Sequence, residues 1–507
     1  MLPHGKIRLR LLCIVCLIAL SLISRSAVGQ DGQVGQNWPQ FRGPNSSGVA
    51  TCEAPVRFGP QTDVLWQTTV GPGHSSPCVA DGRIVLTSFN AEASTVSVHS
   101  IDAATGWPKW RRDFAVRDME KGHPSFNPAS SSPVSDGRVV VAYFGSLGLV
   151  TLNAEDGRTL WEKRMPTTKS FGGNATSPII AGDVVVLYRG NYVDHFLLAV
   201  DRLSGKELWR VPQTEKFTGE MACTACPIVA GDRLIVHSAR SLQCFDLATG
   251  QLNWLTKCAT TATSTPVIVG DRVIVAAWNK MGEPALRPPF PSFAQLLEDE
   301  DDNRNALIER EEFPPLWIFH RPDGIEAPMN GGKVRFPWAD RNKDGAINRD
   351  EWEQQLADLE KFRAGYETHG LLSIPLNSMG ILTQDDVQTL ETQGIPEVPS
   401  PVSDGQFVYL IKNGGVLTVI DATSGKRVRR VRTPGRGTHY ASPIIAGRHL
   451  YVTSGEGVIT VLTCGADPKV VTSNDMETAV YATPAVAQGT LFVRTHDTLY
   501  AFGDASR

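Results

Sequence analysis

Short apolar runs, broken by turns rich in glycine, aspartate and proline, recur along almost the whole chain and predict many short strands. Their order repeats. A first phrase consists of a small residue and proline, an apolar strand, a Gly-containing turn and a second apolar strand. Ser76-Pro77 opens one copy, with Asp81-Gly82 as its turn, and Ser132-Pro133, Ser177-Pro178, Cys226-Pro227, Thr265-Pro266, Ser400-Pro401, Ser442-Pro443 and Thr483-Pro484 open the others. Asp-Gly or Gly-Asp between two β-rich runs is a hairpin signal. A second phrase adds a strand, then Asp-x-x-(Thr/Ser)-Gly, then a strand that usually carries tryptophan. Asp102 to Gly106 with Trp110, Asp201 to Gly205 with Trp209, and Asp246 to Gly250 with Trp254 are full copies. Asn153 to Gly157 with Trp161 is looser, and Asp421 to Gly425 lacks the Trp.

Each unit thus predicts four antiparallel strands. The repeat prolines lie 56, 45, 49, 39, 135, 42 and 41 residues apart, so one gap holds an insertion. A four-stranded sheet of this period is too small to bury its own faces and stacks radially as a propeller blade. The last copy, 482–502, supplies only three strands. The early strand at 65–70, with Trp66 placed as in the other blades, would complete it and close the ring. The expected fold is all-β: an eight-bladed β-propeller of four-stranded antiparallel blades, formed by 64–280 and 370–503 after an N-terminal extension at 30–63. A length of 507 residues alone would suggest about three domains, and the repeat overrides that prior. In this reading Trp66, Trp110, Trp161, Trp209 and Trp254 pack between neighbouring sheets.

The long gap is an excursion from blade five. The blade starts normally at Thr265 to Ala277, departs at Met281, and regains β patterning near 370–376 and 386–392. Taking out 281–368 leaves 47 residues, one ordinary repeat, so the insertion (281–369) should fall between the blade's second and third strands. Inside it, 340–351 places Asp340, Asn342, Asp344, Asn348 and Glu351 at loop positions one, three, five, nine and twelve, with Gly345 at six. A hard cation such as Ca²⁺ needs this arrangement, with the Ala346 carbonyl as a further ligand and Glu351 closing the shell bidentately. The pattern resembles an EF-hand. A second candidate, 301–312, offers Asp301, Asn303, Asn305, the Leu307 carbonyl, Glu309 and Glu312, but has Ala306 at position six, where a left-handed backbone is costly. Ile308 and Ile347 hold the eighth positions, where paired loops can meet in a short β contact. Helical stripes enter the first loop (Phe293, Leu296, Leu297) and leave the second (Trp352, Leu356, Leu359). Pro314-Pro315 and Pro337 interrupt the other two flanks, which favours a fixed ion over a calcium-triggered switch.

The first 29 residues read as a signal peptide. Lys6, Arg8 and Arg10 precede an apolar stretch at 11–23, and Ala27-Val28-Gly29 gives small residues before Gln30. The stretch is short for a membrane span; an uncleaved anchor is the alternative. Export to the periplasm or beyond is expected. Seven cysteines then remain, an odd number, and Cys226 of the Cys223-x-x-Cys226 pair occupies the place of Ser or Thr in the other repeats. A structural pair or free thiols fits that place better than redox or metal chemistry. The formal net charge of −4 supplies no basic face for nucleic acid.

The Asp-x-x-Thr-Gly-x-x-x-Trp phrases over 38–280 and 370–503 resemble the quinoprotein-type propeller repeat. That family holds pyrroloquinoline-quinone (PQQ) dehydrogenases and non-catalytic envelope proteins of the BamB type, and the motif identifies fold, not catalysis. A quinone site there implies an acidic base, Glu/Asn/Asp ligands holding Ca²⁺, and often a vicinal cysteine pair. No Cys-Cys occurs in this chain. Loops before the strand prolines carry His74, His123, Asn127, Asn174, Glu397, His439, Tyr440 and Tyr481 toward one rim of the axis. The expectation is a calcium-binding interaction scaffold whose partner is a protein or another envelope component. The rival is a PQQ-dependent alcohol or sugar dehydrogenase.

Overall fold

The computed structural model describes residues 37–504 apart from 119, 168, 216–221, 321–330 and 367. The signal segment and the start of the extension lie outside the described residues. Eight antiparallel sheets of at least four strands are arranged in sequence. Blade one runs through Cys78–Ala80, Arg83–Asn90, Thr95–Asp102 and Pro108–Ala115. Blade eight joins Ala485–Ala487, Thr490–Arg494 and Thr498–Phe502 to the early strand Val64–Thr69, so the chain's first blade strand is the outer strand of its last blade. Second and third strands are almost wholly buried, whereas outer strands alternate or lie exposed. The antiparallel register and this gradient of burial follow from apolar inner runs and polar outer ones.

A belt of hydrogen bonds explains why a small polar residue precedes each proline. The Ser76 amide donates to Ser132 Oγ (2.8 Å), Ser132 to Ser177 Oγ (3.0 Å), and Ser177 to Cys226 Sγ (3.3 Å). Cys226 then donates to Thr265 Oγ1, Thr265 to Ser400, Ser400 to Ser442, and Ser442 to Thr483. Thr483 donates to Ser76 Oγ at 3.0 Å and closes the circle. Each blade therefore satisfies a buried amide of its neighbour, which a proline one residue later could not do for itself. Among the described residues no disulfide forms, and Cys226 serves the belt instead of pairing with Cys223. Burial pushes its thiol up from the ordinary range. Cys226→Ser is expected to keep stability within about 0.5 kcal/mol, whereas Cys226→Ala, which orphans the Ser177 amide, should cost about 1–3 kcal/mol by denaturant titration.

The second phrase makes the outer seam. Each tryptophan indole donates to a carbonyl of the next blade: Trp66 to Ala103, Trp110 to Ala154, Trp161 to Arg202, Trp209 to Leu247 and Trp254 to Leu376, all at 2.9–3.1 Å. The ring lies flat against the motif glycine. At Gly157, whose φ is +69°, an added Cβ would stand 2.6 Å from Trp110, so both conformation and space require glycine there.

Two features of the ring were not legible in the repeat. Gly380–Leu382, from the loop between the third and fourth strands of blade five, pairs in parallel with Leu252–Lys257 and gives blade four a fifth strand. The segment after residue 37 crosses the end of the barrel. Trp38 exchanges backbone hydrogen bonds with Val79, Pro39 accepts from the Ser135 amide, and Val49–Ala50 pairs with Ile444–Ala446. Arg42, fully buried, reaches the Pro401 and Ser47 carbonyls. One short stretch thus ties blades one, two, six and seven together.

The insertion leaves blade five between Arg272–Ala277 and Gly370–Pro375. It contains helices Phe293–Glu300, Phe336–Ala339 and Arg349–Ala364 around a small core of Phe293, Leu296, Ile308, Phe336, Ile347 and Trp352. Asn279 Nδ2 donates to the Ala259 and Tyr366 carbonyls, fastening it to the blade. Among the described residues no helix is long and apolar enough to cross a membrane.

Candidate functional site

Two places bring chemistry-bearing side chains together. The first is the loop pair of the insertion. Ile308 and Ile347 face each other across a short antiparallel bridge, so the loops lie back to back. In the second loop Gly345 takes φ +95°. Glu351 Oε1 accepts from the Arg341 and Asn342 amides and Oε2 from the Asn348 amide, while Asn348 Oδ1 caps the helix through the Glu351 amide. Asn342 and Asp344 accept from the Asp344 and Ala346 amides. Asp340 is 7% exposed, and its Oδ1 is buried with no hydrogen-bond partner among the described residues. A buried carboxylate oxygen with nothing to neutralise it is costly unless a cation meets it, and it stands at the first ligand position. The donor set of acidic, amide and carbonyl oxygens fits a hard cation. Among the described residues no three His, Cys, Asp or Glu side chains converge as a metal cluster; the loop's set depends on Asn and carbonyl oxygens as well.

The first loop is more self-satisfied. Asp301 accepts from the Asn305 and Ala306 amides, and Asn303 and Asn305 turn their amide nitrogens toward Glu309. Ala306 takes the left-handed conformation, φ +62°. Glu309 and Glu312 share a hydrogen bond that holds the Glu312 carboxyl above its usual range and Glu309 below it. Neither loop has a full helix on both sides, since Trp317–His320 is a strand and Phe336–Ala339 has four residues.

The second place is a cavity of about 530 Å³ on the propeller axis. Its floor is the belt, with Ser76, Ser132, Ser177, Cys226, Ser400, Ser442 and Thr483 exposed to it together with Phe41 from the crossing segment. His74, His123, Glu397, His439, Tyr440 and Tyr481 line it as the rim positions predict; Asn127 and Asn174 do not. Asn174 is 3% exposed, and neither amide atom has a hydrogen-bond partner among the described residues. It turns instead toward Gly145, where a Cβ would touch both its Nδ2 and the buried Glu120 carboxylate. Phe126, Phe171, Phe41 and Asn413 are among the lining residues that sequence reasoning missed, because isolated side chains in loops carry no periodic signal.

The rings interlock. Tyr481 meets His74 (5.0 Å between centroids) and Tyr440 (5.1 Å) edge-on, and His123 leans on Phe171 at 5.1 Å. Burial pushes His74 and His439 down to about 4, so both are neutral near pH 7. His439 is buried; among the described residues its ring nitrogens make no hydrogen bond of ordinary geometry, and the Gly437 backbone favours its proton against the larger effect of burial. Among the described lining residues Glu397 is the sole carboxylate, and no lysine or arginine is present. A tricarboxylate quinone needs cationic partners and a Glu/Asn/Asp set around Ca²⁺. The described lining has no cationic side chain and, of such a set, only Glu397 and Asn413, so it does not fit PQQ.

A family model described as outer membrane protein assembly factor BamB matches residues 60–197, 194–288 and 412–506. The curated BamB of Burkholderia pseudomallei (strain K96243) is 25% identical over 233 residues, covering 44% of this chain and 55% of that protein. The chain therefore spans about half the length of this relative. Among solved structures, a europium-containing methanol dehydrogenase superposes with TM-score 0.56 at 10% identity, over 93% of this chain and 98% of that one. The quinohemoprotein alcohol dehydrogenase from Comamonas testosteroni gives 0.53 at 13% identity, over 94% and 82%. At such identities the likeness concerns the fold alone.

Proposed function

The chain belongs to the family of the outer membrane protein assembly factor BamB, and from that membership we propose that it is an exported, non-catalytic scaffold that holds protein partners during envelope assembly. The observation that carries this reading is the use to which the repeat phrases are put. Their polar residues close the belt and their tryptophans close the outer seam, so the repeated side chains serve blade-to-blade assembly. The described lining gives the dehydrogenase rival no support, and fold likeness adds none.

Within the scaffold, Asp340, Asn342, Asp344, the Ala346 carbonyl, Asn348 and Glu351 would hold a structural Ca²⁺. Asp301, Asn303, Asn305, the Leu307 carbonyl, Glu309 and Glu312 would hold a second more weakly, because Ala306 carries backbone strain and Glu309 is engaged by two amides. The test of function is deletion of the gene in its host. The expected result is a lower content of outer-membrane proteins, with the wild-type protein recovered from the periplasm and starting at Gln30. Unchanged outer-membrane content, together with dye reduction by the purified protein supplied with PQQ and Ca²⁺, would overturn the reading in favour of the enzyme.

A further inference from the structure

The outer strand of blade six, Arg427–Arg432, reads Arg-Val-Arg-Arg-Val-Arg; Lys426 precedes it and Arg436 stands just beyond. All four strand arginines are exposed. Other outer strands balance their charges: Arg111 pairs with Asp113 of its own strand, and Arg210 with Glu207. Among the outer strands of the eight blades, Arg427–Arg432 alone joins several cations with no carboxylate of its own. Neighbouring blades supply two. Arg427 meets Glu391 of blade five at 3.1 Å, and Arg429 meets Asp467 of blade seven at 3.0 Å. Asp467 is shared with Lys469. Arg432 donates to the Gly414 carbonyl. Among the described residues no carboxylate pairs with Lys426, Arg430, Arg432 or Arg436.

The strand is also an edge. It ends the order Val402–Ser403, Phe407–Lys412, Val416–Asp421, Arg427–Arg432, and no described strand pairs with its outer side. Blade four shows what such a place can hold. There the loop between the third and fourth strands of blade five, 376–387, lays Gly380–Leu382 in parallel on the outer strand Leu252–Lys257. The equivalent loop of blade seven, 464–469, is shorter; it sets Asp467 against Arg429 but no strand on the blade-six edge. Like charges keep a second copy of the same edge away, whereas a strand of opposite charge is attracted to it. We propose that the outer edge of blade six takes an acidic, extended segment of a partner protein as a fifth strand. Main-chain hydrogen bonds would set its register, and Arg430 and Arg432, opposite Thr418 and Val416 on the strand within, would select its charge. An anionic lipid surface would gain from the arginines and leave the open backbone edge unused. This deepens the scaffold reading and rests on it, by naming the chemistry of a partner.

Three capped peptides of about ten residues, the upper end of common strand lengths, separate charge from strand pairing. One alternates glutamate with threonine, the second replaces each glutamate by glutamine, and the third keeps the glutamates but replaces the threonines by proline. Titrated into the whole purified protein at pH 7, the first should bind about ten-fold more tightly than either of the others. The glutamine peptide lacks the charge, and the proline peptide lacks the amides a strand must donate. Arg430→Gln combined with Arg432→Gln, checked for an unchanged thermal midpoint, should weaken the acidic peptide about ten-fold and leave the glutamine peptide unaffected. Amide exchange over 427–432 should slow when the acidic peptide is bound. A proline peptide that binds as well as the first would reduce the edge to a charged surface and overturn the inference. So would equal binding of the glutamine peptide, an affinity indifferent to the double substitution, or no saturable binding. Phosphatidylglycerol vesicles that bind the wild type but not the double variant, without any preference among the peptides, would assign the arginines to a lipid surface instead. These titrations use no host and no native partner, so their failure removes the edge site while the deletion experiment still judges the scaffold reading.

Discussion

Trp254→Ala is expected to lower the unfolding free energy by about 3–5 kcal/mol, measured by denaturant titration with the strand signal of the native state retained. Trp254 is fully buried, whereas Trp66, Trp110, Trp161 and Trp209 keep part of their surface in water. The difference has a local cause. Gly380–Leu382 lies on the outer strand of blade four with Gly380 opposite Trp254, so this one seam is roofed by an added strand. The indole packs in a core with Cys244, Val273 and Leu372 from blades four and five, and its N–H ends on the Leu376 carbonyl. Removing roughly 150–250 Å² of aromatic surface at about 25 cal/mol per Å² accounts for about 4–6 kcal/mol before relaxation. The hydrogen bond adds about 1 kcal/mol. Trp209→Ala should cost less, because its ring is partly hydrated already. Equal losses at the two sites would show that the roof contributes nothing, and a loss below about 1 kcal/mol at Trp254 would show that the seam is not a major source of stability.

The same strand shows where the sequence stops being informative. The blade count was legible because each blade repeats the chemistry that binds it to the next: Ser or Thr before proline for the belt, and Gly followed by Trp for the seam. Gly380–Leu382 has no such phrase. It is three residues long and pairs with a different blade from the one that encodes it, so no local pattern announces it. The crossing segment at 37–58 escaped for the same reason. Its contacts with Val79, Ser135, Pro401 and Ile445 join residues far apart in the chain, and its own composition is only that of a polar extension. At the axis, belonging to a rim loop predicted eight lining residues; six line the cavity, whereas Asn127 does not and Asn174 turns its side chain away toward Gly145 and Glu120. Loop membership sets which end of the barrel a residue reaches; the side-chain direction depends on packing between two loops. In the insertion, the oxygen spacing of 340–351 and the apolar stripes beside it are each carried by one contiguous segment and can be read locally.

Adding Ca²⁺ at about one hundred times its dissociation constant is expected to raise the unfolding free energy by about 2.7 kcal/mol. Asp340→Asn should remove most of that gain. The choice of variant follows from the hydrogen bonds. Glu351 already accepts three backbone amides and is paired with Asn348 in a cap, so Glu351→Gln would also disturb the loop without metal. Among the described residues Asp340 Oδ1 has no hydrogen-bond partner to lose, and neutralising it relieves a buried charge. Asp340→Asn should therefore match or exceed the wild type in the presence of a chelator, yet gain little when Ca²⁺ is added. A structural defect would instead lower stability under both conditions. The combined variant Asp340→Ala, Glu351→Gln should bind no Ca²⁺ at this loop by direct titration. Calcium should stabilise without exposing new apolar surface, because the helix before the second loop has only four residues and the first loop exits into a strand. Opening of a hydrophobic groove needs two full helices to swing apart. Ca²⁺ that fails to shift the unfolding midpoint of the wild type, or that shifts wild type and Asp340→Asn equally, would remove the ion from the loop.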